Sequence, residues 1–147
     1  MPRSVSGAYG LPGRCELICI DPARVREFWP YVAPLIAAAM KRGGITDLAD
    51  VEGAILAGQA LVWMAWNGAT INAAAVTQLS SVQGERFCTI VACGGRNRDK
   101  WLPLLAGLEH YAKAEDCKAM RIFGRRGWER LLPDYKPARV LLEKELT

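Results

Sequence analysis

The chain has few of the residues from which metal sites and disulfide frameworks are built. It contains one histidine, His110, and five cysteines, an odd number, with no Cys-x-x-Cys pair. Because zinc sites take several His or Cys ligands at short spacings, we expect no metal. Most of the cysteines lie in or beside apolar stretches, which is typical of free buried thiols. They predict a reducing, cytoplasmic setting.

Long apolar runs are also missing. The most apolar stretch, residues 32–40, is far shorter than the roughly 20 residues that a membrane helix needs. Residues 1–13 are rich in Gly, Pro and Ser and show no secretory signal pattern. We therefore predict no membrane segment, a loose arm over residues 1–14 and a single domain over residues 15–147.

Positive charge is in modest excess. The net charge is +4, which permits an anionic partner without requiring nucleic acid. The arginines of the C-terminal half leave nucleic-acid binding open as a third hypothesis, although no recognised nucleic-acid motif accompanies them.

A strand, a glycine pair and a helical pattern follow one another from residue 87 to residue 116. Residues 87–93 are apolar and rich in β-branched side chains, which predicts a buried strand. Gly94 and Gly95 predict a turn, and the apolar positions from Trp101 to Ala112 predict a helix. A turn that opens a helix can hold an anion on free backbone N–H groups. The alternative is a tight turn with solvated Arg96 and Arg98.

The N-terminal half predicts one strand and two helices. Residues 15–20 read as a strand, and Asp21-Pro22 as a helix start. The helix of residues 24–42 contains Pro30 and Pro34, so we expect a break or kink near Trp29. A short helix follows, capped by Thr46 or Asp47 and ended by Gly58.

Strands dominate the middle of the chain. Residues 60–66 and 70–80 flank Asn67-Gly68, a strong hairpin signal. A second turn at residues 83–85 leads into the strand of residues 87–93, and this predicts an antiparallel meander. On the first of these strands, the odd separation of Trp63 and Trp66 places them on opposite faces.

The C-terminal part predicts a crossover. Residues 120–123 read as a strand that follows a strand–helix connection, so it should lie parallel to residues 87–93. A short helix through Trp128 and Leu132 follows, and residues 139–146 predict a charged edge strand. The fold class expected is α/β (α+β), with a mixed central sheet and helices on both faces.

This order of elements resembles the GNAT superfamily of N-acetyltransferases from about residue 15 to residue 146. The segment from Gly124 to Tyr135, before a final strand, is also similar to the end of small GNAT-like proteins encoded in phage and prophage regions. The resemblance implies a sheet that splits after its fourth strand, with acetyl-CoA as cofactor in the split. It implies a pyrophosphate on the turn from Gly94 to Asp99.

The resemblance implies the following cofactor-binding residues: Val91, Cys93, Gly94, Gly95, Arg96, Asn97, Arg98 and Arg125. The tyrosine that protonates the departing thiolate in the family would fall at Leu131 or Leu132, so the nearby Tyr135 is the candidate acid. The alternative is that Tyr135 anchors the final strand by its ring. The Q/R-x-x-G-x-G/A pattern of the family is not met, because residues 96–101 contain no glycine or alanine. The strand of residues 87–93 carries no Glu or Asp to act as a base.

Two functions follow from the resemblance. In the first, the chain is an acyltransferase that acts on a small-molecule or peptide amine. In the second, it is a catalytically inactive GNAT-fold protein of phage or prophage origin that binds a phage-type protein partner. A homodimer is an open alternative in either case.

Overall fold

The computed structural model describes residues 15–43, 47–96, 98–122, 127–138 and 142–147. The predicted arm of residues 1–14 lies outside the described residues, as do Thr46, Asn97 and Arg125.

Five strands of the described residues form a sheet at the centre of the domain, in the order β1-β2-β3-β4-β5. The first four strands are antiparallel to their neighbours, and β5 runs parallel to β4. The antiparallel meander and the parallel crossover are thus confirmed, and with them the mixed α and β class. The strands are β1 Glu16–Cys19, β2 Leu61–Trp66, β3 Ile71–Val82, β4 Glu85–Gly95 and β5 Ala119–Ile122.

Two predicted turns connect the meander. At the first turn, Asn67 Oδ1 accepts hydrogen bonds from the N–H groups of Ala69 and Thr70, at 2.9 and 2.7 Å. At the second, Gln83 and Gly84 both have positive φ, 53° and 82°. Two successive residues of positive φ match the twist of the flanking strands, so β3 and β4 form a long two-stranded ribbon.

Two helices pack on one face of the sheet: α1 Val25–Gly43 and α2 Leu48–Leu56. A 3-10 turn, Pro22–Arg24, precedes α1 and is capped by Asp21, and Asp47 caps α2. The predicted break near Trp29 is wrong, because α1 continues through both prolines. Pro30 and Pro34 lie on its exposed side, whereas Val32 and Ile36 are fully buried. A proline has no N–H group and cannot donate a backbone hydrogen bond within the helix. Burial of the apolar side chains stabilises α1 despite the loss of these hydrogen bonds.

The helical segment on the other face is divided into three parts. It consists of α3 Arg98–Trp101, a 3-10 turn Leu102–Leu104 and α4 Leu105–Ala114. The sequence predicted one helix from Trp101 to Ala112, which places Pro103 in its first turn. Pro103 instead lies inside the 3-10 turn, where its missing N–H interrupts the α-type ladder.

The two faces of the sheet carry separate hydrophobic clusters. The α1 cluster includes Ile36 and Met64, with Trp66 packed against it. The α4 cluster includes Trp63, Leu104 and Leu108. The prediction that Trp63 and Trp66 lie on opposite faces is confirmed. Trp63 is fully buried, and its ring meets that of Tyr111 edge-on at 5.0 Å between centroids.

The chain ends differently from the prediction. The short helix is present as α5 Gly127–Leu131, but residues 142–147 form no strand. Leu142 and Leu146 are 88% and 85% exposed, so no apolar surface holds this segment against the sheet. Residues 139–141 lie outside the described residues. Within the described ranges, no helix combines the length and the apolar content required to cross a bilayer.

Candidate functional site

Strand β4 has two neighbours along its first half and one along its second half. Its pairing with β5 runs from Phe87–Ala119 to Ile90–Ile122. Its pairing with β3 continues to Gly95. Residues 91–95 therefore have no strand on the β5 side among the described residues. Backbone groups that point to that side pair with no described strand, and unpaired backbone groups at a sheet edge can bind a ligand. We call residues 91–95 the open stretch.

A β-bulge begins the open stretch. Thr77 of β3 lies opposite Ile90 and Val76 lies opposite Ala92, so Val91 is an extra residue in β4. Bulges increase the local twist and are frequent next to active sites. The bulge thus coincides with the end of the β4–β5 pairing. Nothing in the local sequence predicts it, because Val91 is an ordinary strand residue.

Gly94 and Gly95 are the last residues of this strand rather than a turn, so that prediction is wrong. They lie opposite Ala74 and Ala73 of β3. A Cβ atom on Gly95 would lie 2.2 Å from the carbonyl oxygen of Asn72. This glycine is required for the close approach of two backbones.

Helix α1 packs closely against strand β4 at Gly94, and Arg42 of α1 lies there although the sequence did not predict it. A Cβ atom at Gly94 would lie 2.9 Å from Ala39 Cβ and 2.9 Å from Nη2 of Arg42. The guanidinium of Arg42 therefore lies over the backbone at the end of the open stretch. No local sequence pattern points to Arg42, because only the helix–sheet packing brings residue 42 to residue 94.

Arg96 and Arg98 follow the open stretch and are exposed. The backbone N–H of Arg96 donates to the carbonyl of Asn72 at 2.7 Å, so this amide is already used. The helical segment that follows begins with the four-residue α3, and α4 begins only at Leu105. The ion pairs among the described residues do not include Arg42, Arg96 or Arg98.

The side chains of the open stretch point to both faces of the sheet. Val91 packs against the α1 cluster, whereas Cys93 packs against the α4 cluster. Burial raises the pKa of the Cys93 thiol to about 12. Cys93 is therefore a neutral thiol at pH 7 and is unsuited to act as a nucleophile, which requires the thiolate.

Tyr135 lies against α4. Its hydroxyl donates to Oε2 of Glu109 at 2.5 Å. Burial, then this hydrogen bond and the carboxylate charge, raise the pKa of Tyr135 well above its usual range. Cys88, in the half of β4 that pairs with β5, contributes to the same rise. The structure does not show it in contact with the open stretch.

Carboxylates are absent from the open stretch. Glu85 is at the other end of β4, roughly 20 Å or more from the open stretch along the strand, and binds Lys118 at 3.0 Å. Glu129 on α5 is exposed. Among the described residues, no three His, Cys, Asp or Glu side chains are placed to hold a metal ion.

Neither a protein-family model nor a curated protein matches the sequence. Solved structures do match. An aminoglycoside acetyltransferase from an uncultured soil metagenomic sample, in complex with sisomicin, has a TM-score of 0.68 at 9% identity over 90% of this chain and 97% of that chain. A ribosomal-protein-alanine N-acetyltransferase from Brucella melitensis has a TM-score of 0.65 at 17% identity over 91% and 99%.

A GNAT family acetyltransferase from Staphylococcus aureus has a TM-score of 0.62 at 14% identity, over 90% of this chain and 99% of that chain. Likeness at such low identity establishes the fold. This chain has the fold of the GNAT acetyltransferases, as its order of elements predicted.

Proposed function

We propose that this chain transfers an acetyl group from acetyl-CoA to an amine. The observation that carries the proposal is the open stretch, where β4 extends past its last pair with β5 at a bulge. Alternate backbone N–H groups of an unpaired edge are fixed donors, and fixed donors stabilise the charge that develops on a carbonyl oxygen during acyl transfer.

The residues around the open stretch fit the coenzyme. Arg42, Arg96 and Arg98 are exposed and lack ion pairs with other described residues, so they are available to bind a diphosphate. When bound, acetyl-CoA supplies an activated thioester. Asn97 and Arg125 belong to the same proposed set, although they lie outside the described residues.

The raised pKa of the Cys93 thiol favours direct transfer of the acetyl group from the thioester to the amine. A thiol whose pKa is about 12 does not form an acyl-cysteine at neutral pH. The amine itself then attacks, and it must be neutral to do so. Because residues 91–95 carry no carboxylate, deprotonation of the amine falls to water or to a more distant group.

The acceptor is proposed as a small-molecule or peptide amine. The names of two similar structures, an aminoglycoside acetyltransferase and a ribosomal-protein-alanine N-acetyltransferase, cover both kinds. The fold alone does not select between them.

Calorimetric titration with acetyl-CoA tests the proposal. We expect Arg42→Glu and Arg96→Glu each to weaken binding about tenfold, because each reversal replaces an attraction to phosphate by a repulsion. Arg26→Glu is the matched control, since Arg26 is an exposed arginine near the opposite end of α1. Absence of binding at millimolar acetyl-CoA would refute the proposal, as would equal effects of all three reversals.

A binding protein without catalysis is the second candidate. The lack of a carboxylate on the open stretch and the engagement of Tyr135 with Glu109 favour it. Coenzyme binding with no release of free CoA thiol across a panel of amines would select this candidate. Substitution of Gly95 does not discriminate between the two, because a side chain there collides with Asn72 whatever the function.

A further inference from the structure

A cavity of ≈ 30 Å³ lies between the sheet and the segment from α3 to α4. Its wall is almost entirely apolar. Strands β2, β3 and β4 contribute Trp63, Ala75 and Cys93, which are aligned across the sheet as register partners. Trp101 and Leu105 cover it from the helical side.

Small side chains keep this cavity open. Ala65, Ala73 and Ala75 occupy wall positions on β2 and β3 where larger apolar residues are usual in a core. Protein interiors are otherwise closely packed, and an apolar cavity stays dry and accepts apolar ligands. At 30 Å³, the cavity holds about two groups the size of a water molecule or a methylene.

Trp101 supplies a second observation that points to a ligand. This residue is 7% exposed, and its Nε1 is buried without a hydrogen-bond partner in the described structure. By contrast, Nε1 of Trp63 donates to Oγ1 of Thr77 at 2.9 Å. A buried donor without an acceptor is unfavourable, so an acceptor oxygen on a bound molecule would stabilise the site.

The cavity adjoins the proposed reaction site. Cys93 belongs both to the open stretch and to the cavity wall. An acyl group whose carbonyl lies at the open stretch therefore has an apolar space beside it on the α4 side of the sheet.

We infer that this cavity is an acyl pocket for chains of three or four carbons, so that propionyl and butyryl thioesters are bound more tightly than acetyl-CoA. The inference rests on the proposed function. In the reaction, the C–S bond of the thioester breaks and a C–N bond to the amine forms. The amine loses a proton, and CoA leaves as the thiol. The N–H of Trp101 donates to the carbonyl oxygen, whose second lone pair remains for a backbone N–H group.

A calorimetric series with CoA and with acetyl-, propionyl-, butyryl- and octanoyl-CoA tests the inference. We expect affinity to rise about fourfold for each methylene added from acetyl to butyryl, and to fall for octanoyl, which exceeds the cavity. Trp101→Phe keeps the aromatic ring and removes the donor. It should weaken the acyl thioesters about tenfold relative to free CoA.

Variants that fill the cavity distinguish binding of the acyl chain from general effects on packing. Ala75→Val should abolish the rise in affinity from acetyl-CoA to butyryl-CoA. Ala60→Val, at a buried alanine of the α1 cluster outside the cavity wall, should leave the rise in place. If melting curves show that Ala75→Val does not fold, Leu105→Phe narrows the cavity from its helical side and should give the same loss.

The outcomes distinguish the two proposals. Equal affinity for acetyl-, propionyl- and butyryl-CoA would overturn the acyl pocket and leave the acetyltransferase proposal in place. Failure to bind any of these coenzymes would overturn both.

Discussion

Ile90 of β4 and Ile122 of β5 form the last residue pair between the two parallel strands. The next residue of β4, Val91, is the extra residue of the bulge opposite β3. On one side the strand loses its neighbour, and on the other side its register shifts by one residue. The open edge on which the proposed function depends begins where these two changes meet.

The contact between Gly95 and β3 predicts a large loss of stability for Gly95→Ala. The new Cβ atom would lie 2.2 Å from Asn72 O and 2.6 Å from Ala73 Cα, and neither backbone atom can move freely. We expect a loss of about 3 kcal/mol or more, measured by urea unfolding. Gly53→Ala is the control. Its Cβ meets nothing within 4 Å in α2, and the variant should be more stable by about 0.5–1 kcal/mol. A stable Gly95→Ala protein would contradict the close approach of the two strands.

The hydrogen bond between Trp63 and Thr77 predicts an energetic coupling across β2 and β3. Both residues are at least 99% buried, and the bond is 2.9 Å long. Thr77→Val keeps the shape and removes the acceptor, so it should lower the free energy of unfolding by about 1–3 kcal/mol. In a double-mutant cycle with Trp63→Phe, the two losses should not add. Strict additivity would show that the bond contributes nothing.

Buried thiols predict a protein that loses stability in alkali. Burial raises the pKa of Cys19, Cys88 and Cys93 to about 12, against 9.0 for a free thiol. Between pH 9 and pH 12, the unfolded chain releases these protons while the folded chain keeps them. Each thiol should then lower the free energy of unfolding by up to about 1.4 kcal/mol per pH unit. Urea unfolding from pH 8 to pH 11 measures the slope, which Cys88→Ala should reduce. A constant stability over that range would contradict the prediction.

If Tyr135 is the acid of the reaction, Tyr135→Phe should lower kcat by about a hundredfold. The raised pKa keeps the phenol protonated, as an acid requires, but the hydroxyl must first break its hydrogen bond to Glu109. The release of free CoA thiol measures the effect. Tyr31→Phe, at a tyrosine that is 66% exposed, is the control. A Tyr135→Phe protein with lower stability and unchanged kcat would identify Tyr135 as a structural anchor for the segment after α5.

Local patterns in the sequence predicted most of the sheet. Alternating apolar residues and the Asn67-Gly68 turn located the meander, because hairpin geometry depends on neighbouring residues. The uninterrupted α1 was not predicted, since local proline rules do not include the burial of Val32 and Ile36.

The candidate site was predicted less completely, because its geometry depends on distant parts of the chain. The resemblance implied contacts to the coenzyme from residues 91–95 and from the arginines that follow, and these contacts stay predictions. The sequence assigned Gly94 and Gly95 to a turn, whereas their lack of a side chain lets α1 and β3 approach at close range. Arg42 and the cavity beneath Trp101 arise from packing between elements far apart in sequence, and no local pattern signals them.

The extra residue in β4 also reverses which side chains face each helical layer. Ile90 and Cys93, three positions apart, both belong to the α4 cluster, while Val91 and Ala92 both belong to the α1 cluster. In a regular strand, two residues three positions apart would point to opposite sides. Deleting Val91 would therefore restore regular alternation, because the pairs Thr77–Ile90 and Val76–Ala92 would follow each other directly, and Cys93 would keep facing α4. The inserted residue thus lets the end of β4 keep both its register with β3 and its facing, while it removes one residue from the regular ladder.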